Sequence, residues 1–195
     1  MHGLVNKGIQ RFVVDSYGQA QWAAVVQRAD LQFANFEAML VYDDSLTPKV
    51  LCAASEVLGR PYDEMMEDIG TYLVSHPNVG GLRRLLRFGG VDFVDFLRSL
   101  DDMPDWARLA VPDLELPSIE LRQDGEDSFS LICRSSLRGF GHVIAGALRA
   151  LADDYGALAY LEHTGGSGEV ETISIRLLES GFASGRDFSL GGGTA

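Results

Sequence analysis

The sequence predicts an α+β fold, in which a run of helices precedes a four-stranded antiparallel sheet ordered strand, strand, helix, strand, strand, with the late helix on one sheet face. Three observations carry this expectation. Apolar residues recur at three- and four-residue spacing through the first half, they alternate singly with polar ones in the last third, and one amphipathic helical stretch interrupts that alternation.

Val5, Ile9, Phe12 and Val13 line one side of an opening helix that Gly18 stops. A second helix, 19–28, is built around Trp22, Val25 and Val26, and a third covers 47–58, with Thr47 as N-cap and Pro48 in the first turn. The helical pattern resumes over 62–75 until Pro77 removes an amide donor. Shorter helices are expected at 80–88 and 91–100, the latter with Phe93, Phe96, Leu97 and Leu100 on one face. The proline- and aspartate-rich stretch from Asp101 to Asp113 leaves room only for a turn around Trp106 to Leu109.

Ile119 and Leu121, then Phe129, Leu131 and Cys133, alternate with polar residues and predict two strands joined by a turn at Gln123-Asp124-Gly125-Glu126. Phe140, Val143, Ile144, Ala147, Leu148 and Leu151 form the stripe of the late helix, with Gly156 just past its end. Strands at 157–163 and 170–178 follow, connected by Thr164-Gly165-Gly166-Ser167-Gly168. Beyond Gly181 no apolar period continues, so 182–195 is expected to be a flexible tail.

At 195 residues and 46% hydrophobic, the chain is long enough for one sizeable domain. Its 16 Lys+Arg against 28 Asp+Glu, a net charge of −12, argue against nucleic acid or an anionic membrane surface as partner. Cys52 and Cys133 suggest neither a disulfide framework nor a thiolate zinc site, which fits a reducing cytoplasm. The start lacks the apolar run of a signal peptide, and no stretch is long and apolar enough to span a membrane. No nucleophile elbow, phosphate-binding Gly-Lys-Ser/Thr loop or His-Glu-x-x-His helix is found, so a non-enzymatic role is expected. Asp43-Asp44, Asp101-Asp102 and Asp153-Asp154 read as caps and surface. Arg83, Arg84 and Arg87 form a basic helix face, either solvated or able to meet an acidic partner.

Several motifs resemble one family. Met1-His2-Gly3-Leu4-Val5-Asn6-Lys7-Gly8-Ile9, with Tyr17-Gly18 and Trp22 following, is similar to the opening of haem-nitric oxide/oxygen binding (H-NOX) domains. Leu86-Arg87-Phe88-Gly89-Gly90 and Phe93-Val94-Asp95-Phe96-Leu97-Arg98-Ser99-Leu100-Asp101 resemble the family's Gly-x-x-Phe-x-x-Phe-Leu-x-x-Leu-Asp segment. Pro112 and Pro117 fall where it places prolines, and Gly139-Phe140-Gly141-His142 resembles the start of its late helix. The resemblance implies a single domain at about 1–181, with a helical lobe over about 1–60 and an α/β lobe over about 61–181 that together clamp a haem. For a stand-alone bacterial member it further implies a non-catalytic, cytoplasmic sensor that signals to a separate partner such as a histidine kinase or a cyclic-dinucleotide enzyme, with nitric oxide as the gas when haem is bound.

At the two places where the family grips haem, this sequence departs from its pattern. The proximal histidine position, just after Leu100-Asp101, falls on Pro104, which cannot ligate iron. Its neighbour Met103 carries a thioether that can, although a lone methionine at a helix end also serves as packing. The Tyr-x-Ser-x-Arg motif that holds the propionates becomes Cys133-Arg134-Ser135-Ser136-Leu137, keeping only Ser135. Arg134 and Arg138 flank it and can reach a carboxylate from shifted positions, or remain solvated.

An inward-facing imidazole is the other route to iron, and position separates the four histidines. His2 at the frayed start and His163 before a glycine turn are expected to be exposed, and His142 to be a surface residue at a helix start. By the resemblance His76 lies on the helix lining the distal side and is the candidate iron ligand; its bland alternative is a helix-terminal residue bonded to solvent. The candidate cofactor contacts are therefore His76, Met103, Pro117, Cys133, Arg134, Ser135, Arg138 and His142, around a haem that the chain has either kept or lost. The competing reading is a haem-free relative, serving as a protein-interaction module or a pocket for another apolar ligand.

Overall fold

Helix α1, Gly3–Tyr17, begins where His2 Nδ1 accepts the Leu4 N–H at 3.2 Å, and its apolar side buries Ile9, Phe12 and Val13. The structure is a computed structural model that describes residues 1–87, 89–102 and 116–185. Met103, Pro104, Pro112 and the turn expected near Trp106 lie outside the described residues, as do 186–195 of the expected tail. Among the described residues no helix is long and apolar enough to cross a membrane.

The described elements are α1, α2 (Gln19–Arg28), α3 (Leu46–Leu58), α4 (Tyr62–Ser75), α5 (Gly80–Arg87), α6 (Phe93–Ser99), β1 (Ser118–Gln123), β2 (Ser128–Arg134), α7 (Phe140–Tyr155), β3 (Leu158–Ser167) and β4 (Val170–Glu179). The four strands form one sheet in the order β1-β2-β4-β3, every neighbouring pair antiparallel. The α+β architecture is the one the alternating pattern predicts. Ala183 N–H donates to the Gly156 carbonyl at 3.0 Å, tying the first residues past β4 to the end of α7.

Three local expectations are corrected. Thr47 is not the cap of α3: the helix starts at Leu46, and the buried Thr47 hydroxyl donates instead to Asn6 Oδ1 of α1 at 2.7 Å. Helix α6 starts two residues later than expected because Asp92 Oδ1 takes the Asp95 N–H at 2.8 Å as an N-cap, and it ends in a 3₁₀ turn over Leu100–Asp102. The glycine-rich connector is mostly strand. β3 continues to Ser167 through a register shift between His163 and Gly165, where Gly165 adopts φ 92°, and only Gly168-Glu169 remain as the turn.

Two apolar cores result. One gathers α1–α3 with Phe36, Leu137, Val143 and the α4 residues Met65, Met66, Ile69 and Tyr72. The other joins the inner sheet face (Phe129, Leu131, Cys133, Ile173, Ile175) to α6, to the α7 residues Ala145, Leu148 and Leu151, and to Val74 of α4. Helix α4 thus serves both, and it crosses α7 with the two backbones close together. A β-carbon on Gly70 would overlap the Val143 carbonyl, and one on Gly146 would overlap the Glu67 carbonyl. Thr71 Oγ1 adds a hydrogen bond to the Gly146 carbonyl at 3.3 Å.

Candidate functional site

The crossing of α4 and α7 opens on either side into cavities that adjoin at Phe140, the first residue of α7. A cavity of about 180 Å³ lies between α1, α4 and α7, lined by Val5, Ile9, Met66, Ile69, Leu73, Leu137 and Val143 among others, all apolar. A second, of about 140 Å³, lies between α4, α6, β1 and α7 and is lined by Leu73, Val74, Phe96, Leu100, Pro117, Ile119 and Ile144 among others, again all apolar. A third cavity is polar, bounded by Met1, Asp44, Pro117, Arg134, Ser135 and Ser136. Phe140 lines all three, so together they form an interlobe cleft with an apolar interior and a polar mouth.

Of the residues singled out from the sequence, the structure brings Pro117, Arg134 and Ser135 together at the polar mouth. Arg134, on the exposed end of β2, stands 3.6 Å from Glu120 across the β1–β2 pair, and Ser135 Oγ accepts the Leu137 N–H at 3.0 Å. Leu137 turns inward and lines the cleft. Cys133 does not reach the cleft lining: it is 1% exposed in the sheet core, and burial pushes its thiol up to about 12, so it is a small core residue with no thiolate at neutral pH. Arg138 is exposed, and its carbonyl accepts the Tyr62 hydroxyl at 3.1 Å.

His76 caps the end of α4 outside the three cavities. Its ring packs at a tilt against Tyr72, centroids 4.8 Å apart, its Nδ1 accepts the Asn78 N–H at 3.3 Å, and it lies 3.8 Å from Asp15. Asp15 is the hub of this cluster, accepting the Tyr72 hydroxyl at 2.5 Å and Asn78 Nδ2 at 3.0 Å. Those bonds hold its carboxyl below the usual value, while burial and then its bond to Asp15 push the Tyr72 phenol up.

The other three histidines differ from expectation. His2 is not frayed but buried, capping α1 and bridging to Val41. His142 and His163 are not free surface groups: each side chain is 18% exposed, and the rings stack at 4.0 Å between α7 and β3. The sequence hides this because the pair forms only when the β3–β4 hairpin packs against the start of α7.

The residues that build the cleft interior, Phe140, Leu73, Val143 and Met66, were not singled out as a site from the sequence. Their only signal is the apolar stripes of α4 and α7, which look like ordinary core. The glycines at 70 and 146, on the facing sides of those stripes, were the available clue to a close crossing.

This α+β domain has counterparts among known proteins. The family model described as Haem-NO-binding matches residues 2–163, so the chain belongs to that family, the H-NOX sensor domains. The fold is shared with the Fe(II) unliganded H-NOX protein of K. algicida, at 20% identity and TM-score 0.76 over 92% of this chain and 98% of that one. It is shared also with an H-NOX protein of S. oneidensis in the Fe(II)NO ligation state, at 17% identity and TM-score 0.73 over 92% of this chain and 100% of that one. Curated relatives include soluble guanylate cyclase gcy-31 of Caenorhabditis elegans, 28% identical over 79% of this chain, and soluble guanylate cyclase 89Db of Drosophila melanogaster, 27% identical over 80%. The chain spans only 22% and 23% of those two proteins.

The family name implies haem, and the cleft tests whether it fits. The apolar walls suit a flat apolar ring, but the donor set among the described lining residues does not suit iron. Among the described lining residues there is no His, Cys or Tyr, and the only thioethers are Met66 in the apolar interior, 1% exposed, and Met1 at the polar mouth. That mouth offers Arg134, already facing Glu120, and carries the Asp44 carboxylate, paired with the chain's amino group. Among the described residues no cluster of three or more His, Cys, Asp or Glu could hold a metal ion.

Proposed function

We propose that this chain is a non-catalytic sensor domain whose interlobe cleft takes an apolar ligand without an iron–histidine bond, and which reports occupancy to a separate signalling partner. The observation that carries the reading is the lining: two adjoining cavities walled entirely by apolar side chains, drawn from α1, α4, α6 and α7 and therefore from both lobes. A ligand there touches both cores at once, so it can favour one lobe arrangement over another, which is the condition for binding to become a signal.

The partner in this reading is a catalytic or kinase protein, such as a histidine kinase or a cyclic-dinucleotide enzyme, and the setting is cytoplasmic. Its support is the similarity to two proteins named as soluble guanylate cyclases, which are signalling enzymes. Nitric oxide enters as a signal only where haem is held. His76 as an iron ligand has no support from its position outside the cleft lining, and Met66, buried in the helical core, is read as packing.

The cleft is tested with the neutral apolar fluorophore Nile red. Saturable one-to-one binding is expected, weakened at least about tenfold by Leu73→Trp, which fills the wall shared by the two apolar cavities. Absent binding in the wild type, or unchanged binding in the variant, overturns the reading.

A further inference from the structure

His142 and His163 belong to a cluster that the cleft does not use. Their rings stack face to face at 4.0 Å with 22° between planes. His163 Nε2 lies 3.1 Å from Glu171 Oε2, while His142 Nε2 lies 3.9 Å from Asp63 of α4. The Glu171 carboxylate also accepts the Gly139 N–H at 2.7 Å and the Gly141 N–H at 2.8 Å. Those two amides bracket Phe140, the residue at the junction of the three cavities. The cluster therefore ties α4, the start of α7 and the β3–β4 hairpin together beside the α7 residue that lines all three cavities.

We propose that the stacked His142–His163 pair is a proton-operated latch, closed while at most one ring is charged and released when both are, and that its release frees the Phe140 end of α7. Two imidazolium rings at this separation repel across a partly buried gap that water screens poorly. The facing groups are Asp63 and Tyr62 on α4, Glu171 on β4, Cys133 on β2 in register with Glu171, and Arg138 ahead of α7. Burial and then the His163 charge disfavour the protonated His142 ring, with Asp63 and Glu171 opposing them, so its ordinary value of 6.5 is lowered. The neutral form is the one the fold prefers. By linkage, the unfolded chain takes up this proton first as pH falls below 6.5, and stability is lost from there down to the lowered folded value.

The latch rests on neither haem nor partner, so it is tested on the purified full chain. Amide hydrogen exchange at Gly139 and Gly141, corrected for the intrinsic pH dependence of exchange, is compared at about pH 7.5 and about pH 5.5. Protection is expected to fall at least about tenfold in the wild type and to stay constant in His142→Phe, which keeps a stacking ring without the charge. No fall in the wild type, or an equal fall in His142→Phe, overturns the proposal. Should His142→Phe not fold, His163→Gln is read in the same way, since its amide keeps a bond to Glu171. A ring-proton titration of the wild type by NMR supplies a further check: coupled titration of the two rings is required, and independent titration contradicts the latch.

Discussion

A β-carbon at Gly70 would overlap the carbonyl oxygen of Val143, so the close approach of α4 to α7 requires the absence of a side chain there, as it does at Gly146. That crossing places Leu73 and Val143 side by side on the cleft wall. Gly70→Ala and Gly146→Ala should each lower stability by about 2 kcal/mol or more, because backbone must move to admit the methyl group. Gly8→Ala in α1 meets only Leu73 Cδ2, at 3.9 Å, and should be neutral or stabilising by up to about 1 kcal/mol through helix propensity. Urea denaturation of the three variants checks the contrast.

Arg83 holds Asp154 through Nε at 2.6 Å and Nη2 at 2.5 Å, with the Asp154 side chain 4% exposed. Arg83→Met should cost about 3 kcal/mol, since it takes this guanidinium away from a buried carboxylate. Arg84→Met on the exposed side of α5 should change stability by less than about 0.5 kcal/mol. Thermal denaturation of both variants separates a structural arginine from a solvated one. The basic face read from the sequence is therefore not uniform.

The sequence made the helix and strand periods legible because burial repeats every three to four residues in α1–α4 and every second residue in β2 and the middle of β4. Features set by side chain–backbone competition were not legible. Asp92 shortened α6 by capping it, Thr47 left the cap for a buried bond to Asn6, and Gly165 allowed β3 to run on through a register shift that composition alone reads as a loop. The candidate site was legible only at its polar mouth, where Pro117, Arg134 and Ser135 meet. Its interior is made of residues indistinguishable from core, and the positions of His2, His142 and His163 depend on contacts between segments far apart in the chain.

Tyr72→Phe removes the strongest bond to Asp15. At neutral pH it should cost roughly 1–2 kcal/mol. Because that bond lowers the folded carboxyl below 3.8, its contribution is present above 3.8 and is lost as pH falls through the lowered value. The stability difference between variant and wild type should therefore narrow in strong acid, as followed by denaturation at a series of pH values. A difference that stays constant below about pH 3 would show that the hydroxyl acts on packing and not on the carboxylate.

The lack of a family-type iron ligand among the described cleft residues is tested most directly by optical titration of the purified chain with ferrous haem, followed by nitric oxide. With Met66 the only thioether among the described residues of the apolar interior, and no histidine there, no stoichiometric, sharp Soret band that shifts with nitric oxide is expected. A one-to-one Soret band that moves on adding nitric oxide and persists in Met66→Leu would contradict the account.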